Sequence, residues 1–236
     1  MRLGLMQPYF APYLGYFDLI RRTDEWVVFD TAQFIRRGWV NRNRLLKQGG
    51  GWAYITVPVR YAPLETPISA IMPDEAQTWR ERIFAQFDIL KAKAPYHGIV
   101  REMLRSAITE RGASLLDMNL ALMRVVCAHL RIRFQPRLFS SLGVDRTEIQ
   151  GSDEWALAAC RLRGATEYLN PPGGVGIYDP VKFAAHGIHL QFQEFIPMTY
   201  LTGKFAWEPN LSILDVLAWN SPEAVIDHLD RGAKPN

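Results

Sequence analysis

The sequence predicts an α/β protein with a mostly parallel, Rossmann-like sheet and a helical insertion over residues 75–130, all within a single domain spanning 1–236. Three observations carry this. The first thirty residues alternate strand, loop, helix and strand, as a βαβ unit does. Residues 75–130 change to helical periodicity. Two further strand-like runs, at 166–169 and 188–192, each follow a helical stretch.

Arg2 to Met6 reads as a strand, stopped by Gln7-Pro8. Pro12 and Gly15 bracket a tight loop, and from Tyr16 the spacing of Phe17, Leu19 and Ile20 predicts a helix to about Thr23-Asp24. Trp26 to Phe29 is a continuous apolar run of buried-strand type, closed by Asp30. Parallel pairing of the two strands sets the Gln7–Gly15 loop beside the residues after Asp30, at the edge where open α/β sheets bind ligands. The stretch from Trp39 to Lys47 can form a helix with Arg37, Asn41 and Arg44 on one face. A glycine turn follows, then a third strand from Gly51 to Val59, a proline cluster and a short extended segment from Ile68 to Asp74.

Trp79, Ile83, Phe84, Phe87 and Leu90 begin the helical block, which Pro95-Tyr96-His97-Gly98 interrupts. Helices over 99–109 and 114–130 complete it. Leu130 to Leu138 alternates with period two and reads as a strand. Ser152-Asp153-Glu154 caps a helix that Gly164 stops. The strand at Thr166 feeds Asn170-Pro171-Pro172-Gly173-Gly174-Val175-Gly176-Ile177-Tyr178-Asp179. A helical turn at 183–187, a last strand at 188–192 and helices at 211–220 and 221–229 follow, and the tail from Arg231 reads as a frayed end.

Composition narrows the function. Twenty-seven basic against 24 acidic groups give a net charge of +3, too little for a general nucleic-acid binder. Cys127 and Cys160 sit in apolar helical context and read as reduced core thiols. No apolar run approaches the ~20 residues that cross a bilayer. No charged-then-apolar leader pattern opens the chain, so the expectation is a soluble, cytoplasmic protein. The five histidines show no metal-ligand spacing, and no motif requires a cofactor.

The charge signal is local. Between Asp30 and Glu65 no acidic residue occurs, while Arg36, Arg37, Arg42, Arg44, Lys47 and Arg60 do. Planar guanidinium groups grip phosphate or carboxylate in two-point fashion. Together with Gln33, Trp39, Asn41 and Asn43, these arginines form one wall of a candidate anion site. The other wall is the proline-stiffened loop, where Gln7, Tyr9, Tyr13 and Tyr16 offer hydrogen bonds beside stacking faces. Gly173 and Gly174 follow a strand and could turn backbone N–H groups toward an anion, with Tyr178 nearby. Asp30 is the first candidate for a general base, Asp179 another, and Tyr16 a second catalytic candidate. Tyr13-Leu14-Gly15-Tyr16 also sits where adenylate-transferring α/β enzymes carry His-x-Gly-His. Tyrosine supplies no cation there, so a nucleotidylyltransferase-like enzyme stands as an alternative on fold alone. A non-catalytic binding protein is a second alternative.

Taken together, Met6-Gln7-Pro8-Tyr9-Phe10-Ala11-Pro12-Tyr13-Leu14-Gly15-Tyr16-Phe17, Asp30 with Gln33-Phe34, Arg37-Gly38-Trp39 with Asn41-Arg42-Asn43-Arg44, Glu167-Tyr168-Leu169 through Gly173-Gly174 to Tyr178, and Asn210-Leu211-Ser212-Ile213-Leu214-Asp215 resemble the WbqC-like protein family. The chain departs from the family pattern in having Asn170-Pro171-Pro172 where a Ser-Gly start is usual, and in lacking a His-Pro pair near 197–204. Members of that family tend to be encoded with surface-polysaccharide or O-antigen genes, and occasionally with carrier-dependent pathways. The resemblance therefore implies an activated, nucleotide-linked amino sugar as substrate, acyl or aminoacyl transfer as the reaction, and an acyl or aminoacyl carrier protein as a partner.

Overall fold

A computed structural model describes residues 1–232. Five strands form a parallel sheet: β1 (Arg2–Met6), β2 (Glu25–Val28), β5 (Arg137–Leu138), β6 (Glu167–Asn170) and β7 (His189–Phe192), in the order β5-β2-β1-β6-β7. An antiparallel hairpin, β3 (Arg42–Leu46) with β4 (Trp52–Thr56), stands apart from it. The helices are α1 (Leu14–Arg21), α2 (Trp79–Phe87), α3 (His97–Ile108), α4 (Leu115–His129), α5 (Glu154–Arg163), α6 (Pro180–Ala184), α7 (Ile213–Trp219) and α8 (Pro222–Gly232). Arg231 and Gly232 thus close α8, and the rest of the expected frayed tail lies outside the described residues. Among the described residues, no helix is long and apolar enough to cross a membrane.

Strand alternation sorts the core into two layers. Leu3, Leu5 and Val27 face one side, where Ala156, Ala159 and Cys160 of α5 and Phe183 of α6 cover them. Trp26 and Val28 face the other, which is shared with α1, the hairpin, the α2–α4 block and α7. A Cβ on Gly4 would come within 2.8 Å of the Trp26 indole, so glycine is what lets β1 and β2 pair with Trp26 between them. Both cysteines are free and buried, and burial pushes each thiol up to about 12.

Four local expectations change. Residues 42–46 form a strand, not a helix. Gly49, Gly50 and Gly51 all take positive φ (88°, 98° and 68°), a conformation that reverses the chain at once and gives this segment a β partner. Arg42 and Arg44 then point outward, while Asn43 and Leu45 are buried. Only Arg137–Leu138 of the alternating stretch 130–138 is strand, paired with Val27 and Val28 at the end of the four-residue β2. Helix α1 starts at Leu14, so Gly15 lies inside its first turn rather than in the loop. Ser152 does not cap α5. Asp153 holds the cap position without a side-chain bond, and the Glu154 carboxylate instead accepts the Gln150 and Gly151 N–H groups.

A buried amide ties the α2–α4 block to the loop after β1 and to the approach to the hairpin. Asn119 of α4 is 0% exposed and donates from Nδ2 to the carbonyls of Pro8 (2.7 Å) and Val40 (2.8 Å). Its removal strands two acceptors away from water, so Asn119→Leu should lower the unfolding free energy by about 3 kcal/mol in urea titrations. A loss below about 1 kcal/mol would show that those carbonyls find other donors.

Candidate functional site

The strand order reverses between β1 and β6: from β1 the chain steps toward β2 and β5, and from β6 toward β7. Open α/β sheets leave a crevice outside the carboxyl ends of the strands at such a point. A cleft of about 300 Å³ lies there, lined by Tyr9, Tyr13, Trp39, Asn43, Arg44, Pro172, Phe195, Pro197 and Asn210. Tyr9 and Tyr13 follow β1, Pro172 follows β6, and Phe195 and Pro197 follow β7. Trp39, Asn43 and Arg44 come from the hairpin and its approach.

Each wall is fixed by hydrogen bonds to loop carbonyls. Tyr16 Oη donates to Gln7 O (2.8 Å), Asn43 Nδ2 to Phe10 O (3.0 Å) and Ile213 N to Pro12 O (2.8 Å). Phe10 N donates across to Trp39 O (3.0 Å), which joins the tyrosine loop to the arginine segment. Ala11 holds a left-handed φ of 43° while fully buried, a strained conformation the surrounding bonds enforce. Gly15 matters here too: a Cβ at that position would run into the Tyr13 ring and come within 2.9 Å of the Phe195 ring. Those two rings pack edge to face, with centroids 5.8 Å apart.

The arginine wall is a cation–π surface. The Arg42 guanidinium lies over Tyr54 (4.0 Å to the ring centroid), and that of Arg44 lies near both Trp52 (5.0 Å) and Trp39 (5.5 Å). Among the described residues neither arginine has a carboxylate within 4 Å. Such stacking orients a guanidinium without neutralising it. Of the two, Arg44 lines the cleft.

No carboxylate, imidazole, thiol or amine appears among the lining residues. Burial raises the Tyr9 and Tyr13 phenols above their ordinary range, so both stay protonated donors at neutral pH. The cleft can therefore position a ligand and stabilise negative charge, its described lining offering two phenol hydroxyls and the Arg44 guanidinium as proton-bearing groups.

The other predicted site residues are placed elsewhere. Tyr16 is buried, its phenol shifted upward mainly by desolvation and its hydroxyl committed to Gln7 O. Asp30 is also buried, with Oδ1 accepting from Ser140 N (3.0 Å) and its carbonyl accepting from Ser69 N (3.0 Å). Asn41 is buried and donates to Val57 O. Gln7 contributes its carbonyl, and its side chain is not among the lining groups. Gln33 pairs with Pro67 away from the cleft, and Arg36 donates to Ala62 O beside Tyr61 in a separate hollow. Arg37 is exposed with φ 61°. The glycine segment is no anion nest. Gly173 and Gly174 do not take left-handed φ, and the N–H groups of Gly174, Val175, Ile177 and Tyr178 are spent on turn carbonyls. Tyr178 packs instead on Tyr168 and Phe183 in the opposite core layer.

Pro172, Phe195, Pro197 and Asn210 line the cleft, although the residues' chemistry did not single them out. Their segments carry no charge cluster, and the steric demand of Gly15 is the nearest signal for Phe195. Asn210 opens a six-residue segment, Asn210–Asp215, that leads into the first turn of α7 and fastens both walls. Asn210 O accepts from Arg44 Nη2 (2.9 Å), and Ser212 N donates to Arg44 O (2.9 Å). Asp215, 0% exposed, accepts from Leu46 N (3.0 Å) and Tyr200 Oη (3.1 Å).

The fold and cleft define an α/β protein with an aromatic-walled, arginine-bearing cleft at the reversal of its parallel sheet. The chain belongs to the WbqC-like protein family, whose profile matches residues 7–227. The uncharacterized protein Rv1507c of Mycobacterium tuberculosis is 28% identical over 221 residues, covering 92% of each chain. No solved structure matches.

Burial pushes the Asp215 carboxyl up to about 6 from an ordinary 3.8, against the opposing pull of its two hydrogen bonds. The folded state thus binds this proton more tightly than the unfolded chain. Relative to low pH, stability falls as pH rises from about 4 through about 6 and is level beyond. The two values imply about 3 kcal/mol in total. Asp215→Asn has no proton to lose. Urea unfolding at pH 4 and pH 7 should show the variant gaining on wild type by up to that amount, and equal pH slopes would refute the assignment.

Proposed function

We propose that the cleft binds a nucleotide-linked sugar through its phosphates, and that the protein is a transferase acting on that sugar in surface-polysaccharide assembly. The observation that carries this is Arg44: an arginine without a carboxylate partner among the described residues, flanked by Trp39 and Trp52, at the carboxyl edge of the sheet where the strand order reverses. A guanidinium so placed can hold a diphosphate by charge-assisted bonds. Tyr9, Tyr13 and Phe195 supply faces for the base or the sugar ring, and Asn210 a polar edge. Membership of the WbqC-like family supports the polysaccharide context.

Acyl or aminoacyl transfer to the sugar's amino group is the reaction we favour, with a carrier protein as the acyl donor and the cytoplasm as the compartment. The amine attacks the donor's acyl carbonyl, the C–N bond forms, and the donor's ester or thioester bond breaks. The departing group takes up the proton that the amine gives up. Asp30 and Tyr16, initially candidates for proton transfer, serve in this scheme as buried supports for the two walls.

The scheme separates the arginines. Arg44→Ala should weaken nucleotide-sugar binding at least tenfold in calorimetric titrations, about 1.4 kcal/mol or more, while Arg42→Ala should cost less than about threefold. Wild-type affinity should also fall with added salt, since the cleft opens to solvent. Unchanged affinity in Arg44→Ala would sink the phosphate-binding reading.

A further inference from the structure

We infer that the Asn210–Asp215 segment, which leads into the first turn of α7, is a built-in mount for Arg44, with Asp215 as its positioning residue: the segment holds the guanidinium in its phosphate-binding pose before any ligand arrives. This rests on the functional reading above and adds to it which residues set the affinity without touching the ligand.

The mount acts on Arg44 from three sides. Asn210 O takes Nη2, and Ser212 N takes the Arg44 carbonyl. Two residues further along β3, Leu46 N is held by the buried Asp215 carboxylate. The same segment grips the opposite wall, since Ile213 N donates to Pro12 O and Ser212 bridges to Tyr13. Through its second oxygen Asp215 also holds Tyr200, on the segment that contributes Phe195 and Pro197. One six-residue segment thus touches every wall except that of Pro172.

Among the described residues Arg44 Nη1 has no protein hydrogen bond, so the mount uses one end of the guanidinium and leaves the other for a ligand. Asn210 aims its carbonyl by taking a left-handed φ of 53°, which Asn tolerates and β-branched residues do not. An arginine left free would lose much of its rotamer freedom on binding, and fixing it beforehand lowers that cost.

The test compares UDP with uridine, so that the phosphate contribution is read separately from base stacking. In wild type UDP should bind more tightly than uridine. Arg44→Ala should collapse that preference, and Asp215→Leu should lower it about tenfold with uridine affinity kept, whereas general damage to the fold would lower both. Asp215→Asn should stay within about threefold of wild type, because its amide oxygen can still accept from Leu46 N. Asn210→Val and Asn210→Gly both lose the amide, but only glycine keeps the backbone conformation, so valine should show the weaker preference for UDP. That pair decides the matter if Asp215→Leu does not fold. An unchanged preference in Arg44→Ala, or no UDP binding by wild type, overturns the functional reading and the mount with it. A collapse in Arg44→Ala alone, with Asp215→Leu and Asn210→Val like wild type, overturns the mount and leaves that reading standing.

Discussion

A proline-rich loop buried at the end of a sheet has carbonyls to satisfy and few donors of its own, and much of this structure answers that demand. Between Gln7 and Pro12 the acceptors are met from four directions: Tyr16 of α1, Asn119 of α4, Asn43 of β3 and Ile213 of α7. An unmet buried carbonyl is costly, so each donor must be present for the loop to pack. The donors lie between 9 and 201 positions away in sequence, and the loop can take its shape only when helical block, hairpin and C-terminal helices have all docked. The strained Ala11 is the local sign of this outside control.

That dependence explains which parts could be read from residues alone. The β1-α1-β2 unit and the three middle helices follow from apolar periodicity, which is local. The strand character of residues 42–46 was hidden because Arg42, Asn43 and Arg44 fit a helical face as well as a strand, and only the glycine reversal and the pairing with β4 decide between them. The same polar residues then part company: Asn43 turns inward to bond Phe10, and Arg44 turns outward to the tryptophans.

The site was legible in outline and not in its third wall. Tyr9, Tyr13, Trp39, Asn43 and Arg44 stand out by composition, because aromatic and guanidinium groups without acids between them suit neither a core nor an ordinary surface. Phe195, Pro197 and Asn210 have no such mark. They reach the cleft because β7 lies beside β6 and because α7 begins under the hairpin, which are facts of topology. Asp30 is a related case: nothing local in the sequence signals that its carboxylate, at the end of a strand, accepts from the distant Ser140 N–H.

The alternation of β3 also sets a limit on how this segment can change by insertion or deletion. A side chain's face follows its parity, so losing one residue between Val40 and Asn43 would send a guanidinium into the space now filled by an amide, and that amide into solvent. Gain or loss of residues at Gly49–Gly51 has no such effect on which face a side chain takes, since the tip lies beyond the paired region, provided glycines remain to make the reversal. Length variation should therefore collect at the tip and be excluded from the approach. The hairpin has a frozen end and a free end, and the frozen one is the end that carries Arg44.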